Sequence, residues 1–378
     1  MMTTIDQTTS RPTQAVIRGV ALALIGVAVC VAPLYLDTFW LRTGLTVASA
    51  AVGAIGLTIL VGTTGQLSFA HPFLMAGAAV TYVTLADNPV NTAHLGLGLP
   101  PAAAAVLAIF AAGALGLAAS PLASRLSGIY LGIATLSLVF IGQHILENWT
   151  AASGGFFGRP VPPMSLFGLS LADSPTPPVL LGVPLQREEL LWYLSAAVIV
   201  VAWIAGRNVV HSRVGRSLAA VRDSEVLAAT NGVNVRSAKR GAYIASSMFA
   251  GAAGVLFALT TGSVAPETFN LGLAISFLAM VVVGGLGSVA GACMGAAFIA
   301  GLPLLLQEFS DQLPLIVQTG EAGGMQASTA TSYLAGALIV LCMLFEPRGL
   351  VGLATRGRSL ATRALRRTRI LTSRATHN

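Results

Sequence analysis

RNVVHSRVGRSLAAVRDSEVLAATNGVNVRSAKR, residues 207–240, is the stretch that decides the fold. It carries seven of the chain's 21 Lys and Arg residues and two acids, and long apolar runs stand on both sides of it. A helix needs about 20 apolar residues to cross the hydrocarbon core, within a range of about 17–25. Six runs of roughly that kind precede the basic stretch: Gly19–Leu36, Gly44–Gly62, Phe69–Ala86, Leu95–Ser120, Gly128–Leu146 and Leu190–Gly206. Four come after it: Ala242–Gly262, Leu271–Leu286, Val289–Leu306 and Ala330–Phe345. The eighth and tenth are short, as tilted or broken spans are, and His71 and Pro72 predict an irregular start to the third. The expected fold is an all-α polytopic membrane protein with about ten transmembrane helices.

Composition agrees with that reading. Of the 378 residues, 55% are hydrophobic and 9% are charged, against about 25% charged in a soluble domain. No long stretch has soluble composition, which argues against a single anchor on a soluble domain. The net charge of +7 does not point to nucleic acid, because the basic residues sit between apolar runs with no nucleic-acid motif beside them. Lys and Arg near span ends set orientation. With the N-terminus inside and ten alternating spans, 18 of the 21 basic residues face the cytoplasm, and only Arg42, Arg159 and Arg187 fall outside. Ten of the 14 acids then lie outside. The chain divides into a cytoplasmic N-terminal segment, 1–18, a transmembrane domain, 19–346, and a basic cytoplasmic tail, 347–378. Within the domain, 148–189 is a Pro- and Gly-rich external loop and 207–240 a cytoplasmic one. The first run exceeds the apolar core of about 7–15 residues typical of a cleavable signal, so it is expected to be retained as a span. A cytoplasmic (inner or plasma) membrane, with both termini inside, is the expected location.

The available chemistry narrows the function. Lys239 is the single lysine and follows Ala238, so the G-x-x-x-x-G-K-[ST] motif that cradles nucleotide phosphates is absent. Every Asp and Glu falls at a span end or in a loop, whereas ion-coupled carriers usually hold ionisable groups deep in their spans. That lowers the standing of a secondary carrier acting alone without excluding it, since sodium sites also form from carbonyls and hydroxyls. No convincing intramembrane protease set or zinc motif is found. Cys30, Cys293 and Cys342 lie inside apolar runs with no CxxC pair, so neither a disulfide nor a metal site is expected. The chain reads as a passage powered from elsewhere, and 207–240 is where that power would enter. Ser217–Ala229 makes a plausible short helix closed by Gly232. Val221, Val226 and Leu227 would form its apolar face, suited to a partner's groove. The plainer reading is a basic loop that only enforces topology. Gly287, Gly291 and Gly295 recur every four residues, a spacing that lets helices approach closely in lipid.

A family resemblance rests on ordered blocks. The segment SRVGRSLAAVRDSEVLAATNGVNV resembles the cytoplasmic loop of ABC-importer permeases for branched-chain amino acids, the LivM type. So do GQLSFAH (65–71), SGIYLGIATLSL (127–138), NWTAASGG (148–155), VAPETF (264–269), MVVVGGLGSVAGACMGA (280–296) and FEPRGLVGL (345–353), in the same order. Each block alone is weak, and the ordered set is specific. The resemblance implies a half-channel paired with a second, related permease chain, two cytoplasmic ATPases and an extracytoplasmic binding protein. ATP and Mg would then be bound by the ATPases, and this chain would hold no cofactor. The sequence departs from the family at Ala70, where Gly is common, at Pro72 and Phe73, at FFGRPVPP, and at an insertion-like stretch, Glu308–Ser328. Urea and short-chain amide permeases share the architecture and stay open as alternatives.

On that basis Gln66, Ser68 and His71, polar groups where the third span begins, are expected to line or gate the pathway. The plainer reading makes Ser68 a helix cap. Tyr130, Thr135 and Ser137 on the fifth span are further candidates, Tyr130 and Ser137 sharing a face. Glu267, in an external loop, is as readily a solvated acid as a contact for the binding protein. For coupling to the ATPase the expected residues are Gly215, Arg216, Arg222, Asp223, Glu225 and Gly232.

Overall fold

The computed structural model describes residues 26–88, 95–166, 169–173, 179–180 and 183–308, with a few positions between 316 and 352. The segment 1–18, most of 309–348, Cys342 and the tail from 353 onward lie outside the described residues.

Among the described residues a helical stretch at 26–31 is followed by ten helices of six residues or more that carry the fold. They are α1 (Thr38–Leu57), α2 (His71–Ala86), α3 (Pro101–Arg125), α4 (Gly128–Asn148), α5 (Arg187–His211), α6 (Arg213–Asp223), α7 (Glu225–Thr230), α8 (Val235–Thr261), α9 (Leu271–Gly284) and α10 (Val289–Glu308). Helix α1 continues as a π-turn over Thr58–Thr63. Among the described residues six helices are long and apolar enough to cross a membrane, and α2 and most of α10 are shorter apolar helices. Eight of the ten expected runs therefore fall on helices. The first run is described only from residue 26, and the tenth lies almost wholly outside the described residues. The fourth run becomes helix α3, which starts at Pro101 and not at Leu95. Gly98 has φ +66°, and Pro100 disfavours helix in the residue before it. The amides of Leu97 and Leu99 donate instead to the carbonyls of Thr84 and Leu85 at the end of α2.

Helices α1 and α8 form the centre. Helix α8 lies against α1, α2 and α3, while α5, α9 and α10 surround α1. Small residues make this possible: Ala250, Ala253, Gly254 and Ala258 are buried along α8, and a side chain at Gly254 would run into the Met75 carbonyl. In lipid such close backbone approach replaces hydrophobic burial as the source of helix association. Helix α4 is only lightly embedded. Its Tyr130, Ile133, Ser137, Phe140, Ile141 and His144 are exposed.

The glycine repeat divides. Gly291 and Gly295 lie on α10 with no room for a side chain against the Gly284 and Met280 carbonyls of α9. Gly287 is not on that helix face. It occupies the preceding turn with φ +80°, and its backbone backs onto Gly62.

At the end of the bundle away from 207–240, Arg159–Pro160 pairs antiparallel with Ser263–Val264. Arg159 is 1% exposed. Its guanidinium donates to the Asp87 carboxylate at 2.5 Å, the Leu95 carbonyl at 2.7 Å and the Ala152 carbonyl at 3.1 Å. One arginine thus joins the chain after α2, the approach to α3 and the residues just past α4.

Candidate functional site

Two arrangements at the basic end carry the expected residues, and they touch. The first is the buried link between α1 and α2. The π-turn at Thr58–Thr63 leads into Thr64–Ala70, which has no regular structure beyond its first residue. Gly65 has φ +69°, a left-handed conformation that glycine adopts without steric cost. The Thr63 and Thr64 hydroxyls donate to the carbonyls of Ile59 and Leu60, four residues back. Threonine in a helix commonly bonds its own backbone in this way, and single π-turns inside α-helices concentrate at functional sites.

Ser68 does not cap α2. The cap position is Ala70, which has helical backbone angles and makes no side-chain cap bond. The Ser68 hydroxyl accepts the Ala70 amide at 3.3 Å. The Phe69 amide donates to Thr135 Oγ1 at 3.0 Å, which ties the link to α4, and the Thr135 hydroxyl donates to Leu131 and Gly132 carbonyls at 2.9 Å. Gln66, Ser68, His71 and Thr135 are thus buried together. Tyr130 and Ser137 share a face, as their spacing requires, but it is the outer face of α4; Tyr130 is 72% exposed.

Around the link the amide atoms of Gln66 and Thr58 Oγ1 are buried with no hydrogen bond among the described residues, and the buried His71 ring and Tyr243 hydroxyl approach the Gly53 backbone and Ser68 without closing a bond of good geometry. The His71 ring lies 5.7 Å from that of Phe277, and Tyr243 on α8 stands beside Ser68. Each unpaired buried group costs about 1–3 kcal/mol. So many in one place mark a site that can take polar matter. Thr58 and Tyr243 escaped the sequence reading. The signal for Tyr243 was its grouping with Ser246 and Ser247 near the start of an apolar helix.

The second arrangement is the α6–α7 pair. Ser212 caps α6 by accepting the Gly215 amide at 3.2 Å. Gly215 has no room for a side chain against the Val209 and Val210 carbonyls. The expected single helix over Ser217–Ala229 is two helices, broken at Ser224, whose hydroxyl accepts the Leu227 amide at 3.3 Å and caps α7. Serine offers the backbone this alternative to continuing a helix. The break also divides the expected apolar face: Val221 is buried, beside Leu218, whereas Val226 is 74% and Leu227 64% exposed. Gly232, with φ +82°, closes α7: its amide donates to Ala229 and the Val233 amide to Ala228, both at 3.0 Å. A groove of about 280 Å³ runs beside Asp223, Ser224, Leu227 and Asn231.

The charged residues have different fates. Arg216 is exposed and donates to the His211 carbonyl at 3.3 Å. Asp223 is exposed and lies 3.5 Å from Arg222. Glu225 pairs with Lys239 at 2.6 Å. Arg222 turns toward the bundle: its Nη1 donates to the Gly62 carbonyl at 2.8 Å, and its stem passes over Gly65, where a Cβ would lie 2.8 Å from Arg222 Cγ. Here the α6–α7 pair meets the buried link.

Known proteins share this sequence pattern. Residues 40–344 match the family described as the permease component of branched-chain amino acid transport systems. The chain is 29% identical over 311 residues to the high-affinity branched-chain amino acid transport system permease protein LivM of Escherichia coli strain K12, covering 79% of this chain and 66% of that one. The LivM protein of Salmonella typhimurium strain LT2 matches at the same identity and coverage. The autoinducer 2 import system permease protein LsrC of Klebsiella pneumoniae is 30% identical over 183 residues, 47% of this chain and 48% of that one. The alignment thus spans just under two thirds of the LivM proteins' length. No solved structure matches.

Proposed function

The chain belongs to the branched-chain amino acid transport permease family, and on that premise we propose that it is the membrane-spanning permease subunit of an ABC importer for branched-chain or other hydrophobic amino acids. It is a multi-pass membrane protein. In this reading ten helices cross the cytoplasmic membrane, both termini and residues 207–240 lie inside, and a second related permease completes the path. Two ATPase subunits bind ATP and Mg, and a binding protein delivers substrate from outside.

One observation carries this reading: a short amphipathic helix pair, with an apolar tip at Val226 and Leu227, stands exposed at the basic end of a chain without a nucleotide-binding motif. Arg216 and Asp223, exposed beside that tip, supply the charged contacts to the ATPase. Gln66, Ser68, His71 and Thr135 stand beside the path on the side nearest the ATPase.

The test is reconstitution of the two permease chains, the two ATPase subunits and the binding protein in vesicles, with uptake measured for leucine, isoleucine, valine, urea and acetamide. Uptake of the branched-chain amino acids, dependent on ATP and on all partners, is expected. Preference for urea or acetamide moves the substrate to the amide class. Uptake by this chain alone under an ion gradient overturns the reading in favour of a carrier. Within the complex, Arg216→Glu is expected to abolish substrate-stimulated ATP hydrolysis while the chain still inserts; normal transport by that variant removes Arg216 from the contact.

A further inference from the structure

We propose that Arg222 is a positioning residue for the buried link: its bond to the Gly62 carbonyl joins α6 to the π-turn, so that a displacement of α6 shifts the register of that turn and with it Gln66, Ser68 and His71. The inference rests on the reading of the chain as an ATP-driven permease, in which α6 and α7 receive motion from the ATPase.

The connection is specific. The Arg222 bond to Gly62, at 2.8 Å, is a side-chain bond from α6 to a residue 160 positions earlier in the chain. Gly62 itself passes close to Gly287, since a side chain at Gly62 would run into the Gly287 amide and Cα. The arginine stem also rests on Gly65, so the guanidinium and the stem grip the two ends of a four-residue segment. Arg222 sits two residues before the Ser224 break, where α7 with its exposed apolar tip is hinged to α6. A push on α7 therefore reaches the arginine through α6, alongside the direct tie of α7 to α8 at Glu225 and Lys239.

The gripped segment has two registers available. In the π-turn the Thr63 and Thr64 hydroxyls bond to the Ile59 and Leu60 carbonyls. Those carbonyls keep a donor whichever register the amides adopt. The Leu60 carbonyl already receives the Gln66 amide, six residues on, at 3.3 Å. Removing the extra residue of the π-turn would rotate the chain beyond it by about 100°, the angular step of one helical residue. That part of the chain holds the side chains without a well-formed hydrogen bond in the present register, Gln66 and His71, with Thr58 and Tyr243 beside them. Packed elements that hold two discrete arrangements, and not a continuum, are how small shifts are amplified in switching proteins.

Two measurements decide it. In the chain alone, amide hydrogen exchange over residues 58–70 is compared between the unmodified protein and Arg222→Ala, with Arg222→Gln as the second variant should the first not accumulate. Exchange at least tenfold faster, confined to that segment, is expected; identical exchange overturns the proposal. In the reconstituted importer, substrate moved per ATP hydrolysed should fall at least tenfold in the same variant while the ATPase still copurifies. Arg222→Lys, which keeps a donor within reach of Gly62, should restore most of the ratio. An unchanged ratio, or loss of the ATPase from the complex, overturns the role of Arg222 in positioning. Absence of ATP-driven transport by the unmodified complex removes the permease reading itself, and the relay with it. The exchange comparison separates the two failures, since it reads the Arg222 contact without any partner.

Discussion

Arg159 at one end of the bundle and Arg222 at the other both turn inward to join distant segments, and the two are built differently. Arg159 is 1% exposed and bonds to three chain segments. Arg222 is 46% exposed, bonds to one carbonyl, and has a loose second contact to Asp223 at 3.5 Å. A buried cation with one partner removed is strongly destabilised, by about 3–5 kcal/mol, because its charge is left uncompensated. A half-exposed one is hydrated when its bond opens and gives up little. The first arrangement fixes geometry and the second can let go and re-form. A transporter that receives motion at one end needs that asymmetry.

The largest effect is therefore expected at the fixed end. Arg159→Ala should lower stability by about 3–5 kcal/mol, read as thermal unfolding in detergent, with the loss unrelieved by Arg159→Lys. A lysine supplies a point charge and not the planar fork that reaches three segments from one guanidinium. A loss no greater than that of Arg222→Ala would remove the contrast between the ends.

Much of the fold was legible because apolar length and glycine placement are local properties. The spans beginning near Gly44, Gly128, Leu190, Ala242, Leu271 and Val289 all fall on helices. What the sequence hid depends on contacts made far along the chain. Arg159 reads as one more loop charge until Asp87, Leu95 and Ala152 close over it. Thr135 is separated from its partner Phe69 by 66 residues; no spacing rule selects it over Tyr130 or Ser137, which face outward. The break at Ser224 was visible as a serine before an acid, yet helical periodicity ran through it and concealed the change in direction that exposes Val226 and Leu227. Gly287 kept the repeat of its helix without belonging to it, since a repeat of four does not record where a helix begins.

A smaller effect is expected at Gly65, where the comparison can be sharpened at the loose end. Gly65→Val places a β-branched residue at φ +69°, a conformation that costs L-residues about 1–2 kcal/mol, and its Cβ displaces the Arg222 stem. Unfolding should shift by less than in Arg159→Ala. Substrate uptake should nonetheless fall severalfold more than in Arg159→Lys protein that remains folded. Equal losses of stability and uptake in the two variants would mean that the link at 62–66 is scaffold like the other end.

The smallest effect tests whether α7 is free to re-seat. Glu225 is the carboxylate that holds this short helix to α8, through Lys239 at 2.6 Å. The lysine side chain is 6% exposed and the glutamate 49%. Because the acid is half in water, the pair gains little from its geometry, and exposed pairs contribute about 0.2–1 kcal/mol. Glu225→Gln keeps an acceptor for the ammonium and removes only the charge. The unfolding midpoint should change by an amount equivalent to less than about 1 kcal/mol, and the difference should shrink as salt rises, since charges on an exposed face are screened within about 8–10 Å at physiological ionic strength. If the change rivalled that of Arg159→Ala and resisted salt, Glu225 and Lys239 would be a second buried clamp. The basic end would then be as rigid as its opposite, and α7 could not move against α8 in the way that coupling to a partner demands.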